Sequence, residues 1–211
     1  MDHKFWHERW ESGRIGFHEG RPNPLLVEHF AKLSVPVGGR VFLPLSGKTL
    51  DIDWLLERGF RVAGAELSEI AVREVFERLG VSPEIEEIGD LKRYRGPALD
   101  LFAGDIFALT AALLGPVNAV FDRAALVALP DTMRGRYTEH LASLTKAVPQ
   151  LLFCFEYDQE ILEGPPFSIS ATEVAAHYAE LYEISQVERH VLEGGMKGVP
   201  AAETVWLLEQ R

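Results

Sequence analysis

Residues 40 to 67, RVFLPLSGKTLDIDWLLERGFRVAGAEL, restrict the fold more than any other stretch of the chain. An apolar run, Arg40 to Leu45, ends in the small-residue turn Ser46-Gly47-Lys48-Thr49. A helix-like segment follows from Asp51 to Arg58, and Gly59 closes it. A second apolar run, Arg61 to Leu67, carries a carboxylate, Glu66, at its far end. Strand, turn, helix and strand, with an acid about 20 residues beyond the glycine turn, is the layout of a nucleotide-binding α/β unit.

The turn contains Gly47-Lys48-Thr49, the end of a phosphate-binding loop. A Walker A loop also needs a glycine five positions earlier, where this chain has Phe42. Leu43, Pro44, Leu45 and Ser46 do not make a flexible phosphate cradle. A dinucleotide site needs three glycines around the turn so that the backbone can approach a pyrophosphate, and here only Gly47 is present. The unit therefore predicts a nucleoside ligand without a phosphate.

The rest of the chain extends this unit into a sheet. Phe5, Trp6 and Trp10 share one face of a short helix from about Asp2 to Glu11, ended by Ser12-Gly13. Gly16-Phe17-His18 and Asn23-Pro24 belong to a loop, and Leu25 to Leu33 reads as a helix. The aromatics in this first segment fit either a flap packed on the core or a cover over a bound ligand. Ile70 to Gly80 is helical by its apolar spacing. Residues 81 to 98, an acidic patch followed by a basic one, read as a solvated surface excursion. Short strands are expected over Asp100 to Asp105 and Val117 to Asp122. Asp131 is expected to cap a helix reaching about Lys146, and Gln150 to Tyr157 is a buried type of strand. The loop Leu162 to Ser168, rich in Gly and Pro, is followed by a helix from Ser170 and by two strands, Tyr182 to Leu192 and Thr204 to Glu209. The expected fold is α/β: a Rossmann-like, doubly wound, seven-stranded, mainly parallel sheet with a C-terminal antiparallel strand pair.

Composition narrows the partners. A chain of 211 residues suits one domain, and 47% hydrophobic residues can build a sizeable core. The net charge of −11 argues against a nucleic-acid partner. The single cysteine, Cys154, lies in an apolar run; it excludes an internal disulfide and fits a reducing, cytoplasmic setting. No signal peptide, membrane span or metal-ligand cluster is evident, and a monomer is the default expectation.

Ligands of such sheets bind outside the carboxyl ends of the strands. Leu45 to Lys48, Glu66, Asp105, Asp122-Arg123 and the loop beyond Tyr157 all fall there. Glu66 can accept both hydroxyls of a ribose. Asp105 can accept from an adenine amino group, with the backbone N–H of Ile106 donating to the ring. The other reading of each carboxylate is a helix cap or a solvated loop; two at successive strand ends favour the ligand.

The ordered motifs resemble the thiopurine S-methyltransferase family of S-adenosylmethionine-dependent enzymes over nearly the whole chain. They are Trp10, Gly13 and Ile15 to His18; RVFLPLSGKTLD, Arg40 to Asp51; Trp54 to Gly59; Val62 to Glu69; FDRAALVAL, Phe121 to Leu129; and GPPF, Gly164 to Phe167. The family usually has Cys where this chain has Ser46. The resemblance implies S-adenosylmethionine contacts at Trp10, Leu45, Glu66, Asp105, Ile106 and Arg123. It implies that Phe17 borders both cofactor and acceptor and that Arg123 lies near the acceptor. Pro166 and Phe167 are expected to add an apolar wall, and residues 1–35 to form an N-terminal helical lid on a single domain. The family's second acceptor-site arginine precedes the last strand, where this chain's only cation is Lys197: either Lys197 substitutes or the second contact is absent. Arg123 is the expected catalytic residue, since a fixed guanidinium favours a thiolate over a thiol. The implied acceptor is a small thiol such as a thiopurine, the alternatives being tellurite, selenium compounds or another soft nucleophile. A cofactor-binding protein without turnover is the alternative of another class.

Overall fold

The computed structural model describes residues 3–16 and 18–211. It divides into two compact units, one running through Asn118 and the other spanning Ala119–Arg211.

The first unit opens with α1 (His3–Glu11), which buries Trp10. In α2 (Pro24–His29), Pro24 takes the first turn, where its missing N–H is no loss. The Asn23 side chain accepts from Leu25 and Leu26 N–H. The expected Asn23-Pro24 loop is thus the cap of this helix, and a 3-10 turn, Phe30–Leu33, completes it. Next come β1 (Arg40–Pro44), α3 (Asp51–Glu57), β2 (Arg61–Glu66) and α4 (Glu69–Leu79). Ser68 caps α4, and Gly80, in the left-handed conformation, ends it. β3 (Glu84–Ile88), β4 (Leu91–Gly96), β5 (Leu99–Ala103) and the one-turn α5 (Ala111–Leu114) follow. The strands lie in the order β3-β4-β5-β2-β1. β1-β2 and β2-β5 are parallel, while β3-β4 and β4-β5 are antiparallel.

The second unit holds β6 (Ala119–Asp122), α6 (Asp131–Thr145), β7 (Gln150–Tyr157), α7 (Ala171–Tyr178), β8 (Tyr182–Val191) and β9 (Ala201–Gln210). Its order is β6-β7-β9-β8. β6-β7 is parallel and the other two pairs are antiparallel. β7 is buried from Gln150 to Cys154, and β9 from Ala201 to Leu208. The Cys154 thiol is fully buried, and burial pushes its pKa well above the ordinary value, which makes it a core residue and not a nucleophile.

Two expectations are corrected. Nine strands are present among the described residues, not seven, because the supposed surface excursion is the β3-β4 hairpin. Its acids and bases face one another in register, Glu84 with Arg95, Glu86 with Arg93 and Glu87 with Lys92. Opposite charges stabilise such cross-strand pairs, while Leu91 and Tyr94 supply the buried side. Asp131 does not cap α6: it is the first helical residue, with Pro130 at the cap and no side-chain cap bond.

Candidate active site

At the carboxyl ends of β1 and β2 the backbone makes a tight, strained loop. Leu45 has φ +45°, a conformation a branched residue rarely adopts, and Gly47 has φ +54°. Ser46 N–H donates to the Ala65 carbonyl at 3.0 Å. The Glu66 carboxylate accepts from Gly47 N–H at 2.7 Å with one oxygen and from Ser68 N–H at 2.8 Å with the other. Glu66 therefore ties the loop after β1 to the cap of α4. Its side chain is buried, and desolvation raises its pKa against the opposing effect of the backbone donors.

Trp10 closes over this loop: a β-carbon at position 47 would lie 3.3 Å from the indole Cζ2. The Lys48 ammonium sits 6.0 Å from the Trp10 ring centroid and pairs with Glu74. Asp51 anchors the far side, accepting from Asn23 N–H at 2.7 Å and from the Thr49 hydroxyl at 2.8 Å.

β5 delivers the next pair. Gly104 N–H donates to the Glu66 carbonyl at 2.9 Å, which sets Asp105 beside the end of β2. Asp105 caps a 3-10 turn by accepting from Phe107 N–H at 3.0 Å, and its second oxygen lies 3.4 Å from His3 Nε2. Ile106 is buried. Trp10, Leu45, Glu66, Asp105 and Ile106 thus gather at the ends of three neighbouring strands of one unit. Glu66 and Asp105 also serve as structural tie and helix cap. The acceptor set suits a nucleoside: two carboxylates accept hydroxyl or amino protons and repel a phosphate, and a β-carbon on the glycine turn would press on Trp10.

In the second unit, β6 ends at Asp122, which is fully buried. Its carboxylate accepts from the Tyr137 hydroxyl at 2.7 Å and from Leu126 N–H at 3.2 Å. Desolvation pushes its pKa up to about 6 in spite of these donors. Arg123 follows, half-buried, and Ala124 has φ +65°. The GPPF loop is joined to the same segment, since Phe167 N–H donates to the Val127 carbonyl at 2.6 Å. The Tyr157 hydroxyl donates to the Pro166 carbonyl at 2.6 Å. Arg134, only 5% exposed, lies 5.3 Å from the Phe167 ring centroid, donates to the Leu129 carbonyl at 2.9 Å and pairs with Glu173 at 2.6 Å. Arg123, Pro166 and Phe167 are therefore held in linked loops of one unit. Lys197 is exposed, at the turn bridged by Met196 and Val199 between β8 and β9, with φ +50°. Phe17 lies outside the described residues.

Sequence reasoning missed Arg134 and Tyr157 as supports of this loop and the Asp122–Tyr137 pair as an anchor. Arg134 and Glu173 are 39 positions apart, and no short-range pattern links them. The Phe-Asp-Arg string did mark Asp122, but not its partner.

The family model for thiopurine S-methyltransferase matches residues 1–210. The chain belongs to the thiopurine S-methyltransferase family. Within it, the thiopurine S-methyltransferase of Xanthobacter autotrophicus is 56% identical over all of both chains. That of Acinetobacter baylyi is 45% identical over 99% of this chain and 98% of its own. Solved structures of lower identity share the fold. The 1,6-didemethyltoxoflavin-N1-methyltransferase of Burkholderia thailandensis, with bound 1,6-didemethyltoxoflavin and S-adenosylhomocysteine, superposes with a TM-score of 0.68 at 16% identity, covering 99% of this chain and 87% of its own. Magnesium protoporphyrin IX methyltransferase of Synechocystis, with bound S-adenosylhomocysteine, gives 0.64 at 15%, covering 99% and 100%. The family member described here has the α/β methyltransferase fold, with a mostly parallel central sheet and antiparallel C-terminal strands. Among the described residues no helix is long and apolar enough to cross a membrane.

Proposed function

We propose that this family member methylates the sulfur of a thiopurine or similar heterocyclic thiol, holding the cofactor at the strand ends of the first unit and using Arg123 on the acceptor. S-adenosylmethionine dependence and S-methyl transfer follow from family membership over the whole chain. The observation that carries the cofactor assignment is Glu66, a buried carboxylate already ordered by two backbone N–H groups at the end of β2. Its acceptor capacity beyond the backbone N–H groups of Gly47, Leu67 and Ser68 suits a ribose hydroxyl.

When bound, S-adenosylmethionine supplies a methyl group on a positively charged sulfur that needs no further activation. The protein's work is then binding, orientation and exclusion of water, which can lower a barrier by ~7–11 kcal/mol in well-oriented cases. Glu66 would hold the ribose, Asp105 the adenine amino group and Ile106 N–H the ring. Trp10 and Leu45 would wall the site, Trp10 as part of a lid formed by residues 1–35 on a single catalytic domain. A heteroaromatic thiol ionises readily, so a strong general base is not required. The Arg123 guanidinium would favour the thiolate and fix the ring. Pro166 and Phe167 would offer apolar surface to the acceptor, to which the family resemblance adds Phe17, and Lys197 would supply the second cation. The enzyme would act as a cytoplasmic monomer on small molecules.

Arg123→Ala tests the assignment. It is expected to lower turnover on a thiopurine at least about tenfold, equivalent to ~1.4 kcal/mol, while the cofactor dissociation constant moves less than about twofold. Wild-type turnover in this variant would remove Arg123 from the mechanism.

A further inference from the structure

Asp122 is a charged group in a place that packing alone would not choose. It ends β6 fully buried, yet the mechanism above gives it no role. One carboxylate oxygen accepts from Leu126 N–H at 3.2 Å, with Ala125 N–H as a further donor, and the other accepts from the Tyr137 hydroxyl at 2.7 Å. Tyr137 is itself fully buried on α6, a helix of 15 residues, so its hydroxyl is a fixed point. Between the carboxylate and its backbone donors lie Arg123 and Ala124, the latter in the left-handed conformation. A residue with a β-carbon stays there only when its surroundings over-determine it. The side chain of Asp122 does so, bridging its own turn from one end to the other.

We infer that Asp122, held by Tyr137, is a positioning residue that fixes the turn from which Arg123 meets the methyl acceptor. This rests on Arg123 acting on the acceptor, as proposed above. Among the described residues Asp122 is bonded to Tyr137 of α6 and acts electrostatically on Cys154 of β7 and Tyr178 of α7, each with its own ionisation pushed well upward by burial. In the neutral range Asp122 is therefore the one member of this buried group that changes charge, and Arg123 is its neighbour in the chain.

The test is a double-mutant cycle on acceptor kinetics with cofactor affinity measured in parallel. Asp122→Asn and the milder Tyr137→Phe are each expected to reduce kcat/KM for a thiopurine by about fivefold or more, with the S-adenosylmethionine dissociation constant changed less than about twofold. In the Arg123→Ala background the same substitutions are expected to cost little further. If instead the losses multiply, or cofactor affinity falls in step with turnover, Asp122 is a structural residue only and the proposal fails while the role of Arg123 stands. Wild-type turnover in Arg123→Ala alone overturns both.

Discussion

Glu66 and Asp122 are the two buried carboxylates on which the account depends, and their surroundings give them different uses. Glu66 sits at the end of β2 between two backbone donors. Glu66→Ala removes both the loop tie and the proposed ribose contact, and calorimetry is expected to find S-adenosylmethionine binding weaker by about 1–3 kcal/mol. Asp122 makes a prediction about pH. Its pKa is raised from 3.8 to about 6, so folding favours its protonated form. The associated stability is fully present below pH ~4 and is lost as pH rises through ~6, about 3 kcal/mol in all. Denaturant titrations from pH 4 to 7 are expected to show a steeper fall for the wild type than for Asp122→Asn; parallel curves would mean that Asp122 titrates as if exposed. The positions of Glu66 and Asp105 at or just past strand ends were legible in the sequence because each follows an apolar run. The partners of Asp122 were not, because Tyr137 reads equally well as one more core position on a helix.

The GPPF loop has no regular structure, and its order comes from neighbours distant in sequence. Arg134 lies over Phe167, Tyr157 bonds to the Pro166 carbonyl and Val127 accepts from Phe167 N–H. Arg134→Ala would leave the Leu129 carbonyl and Glu173 without this cation, at a cost of about 3 kcal/mol. A thermal-unfolding series is expected to show the loss, together with a higher KM for the acceptor and an unchanged cofactor affinity. Wild-type KM would mean that the loop does not depend on Arg134. The sequence marked the loop through its prolines and could not mark the cation beneath it, since a buried arginine on a helix has no periodic signature. The β3-β4 hairpin was missed for a related reason. Its strands alternate weakly in hydrophobicity, and their pairing is written in complementary charge, Glu84 to Arg95 and Glu87 to Lys92. The glycine turn after β1 was legible because the spacing around Gly47 excludes both phosphate-binding arrangements.

Across the whole chain, the alternation of apolar runs with helices defined the α/β class, and the ordered motifs defined the family. The acceptor is a matter of finer chemistry: Lys197 stands where the resemblance leads one to expect an arginine, on an exposed turn, and a compact ammonium does not reproduce the planar fork of a guanidinium. Sequence pattern constrains the proposed cofactor residues more tightly because they follow the strands, whereas the proposed acceptor residues stand on loops. The central claim is methyl transfer to the sulfur of a heterocyclic thiol. The most direct measurement incubates the purified protein with methyl-labelled S-adenosylmethionine and, separately, a thiopurine, an aliphatic thiol, selenite and tellurite, and locates the label by mass spectrometry. The account predicts label on the sulfur of the thiopurine, in the greatest yield of the four. Bound cofactor with no label on that sulfur, or transfer to tellurite or selenite alone, would contradict it.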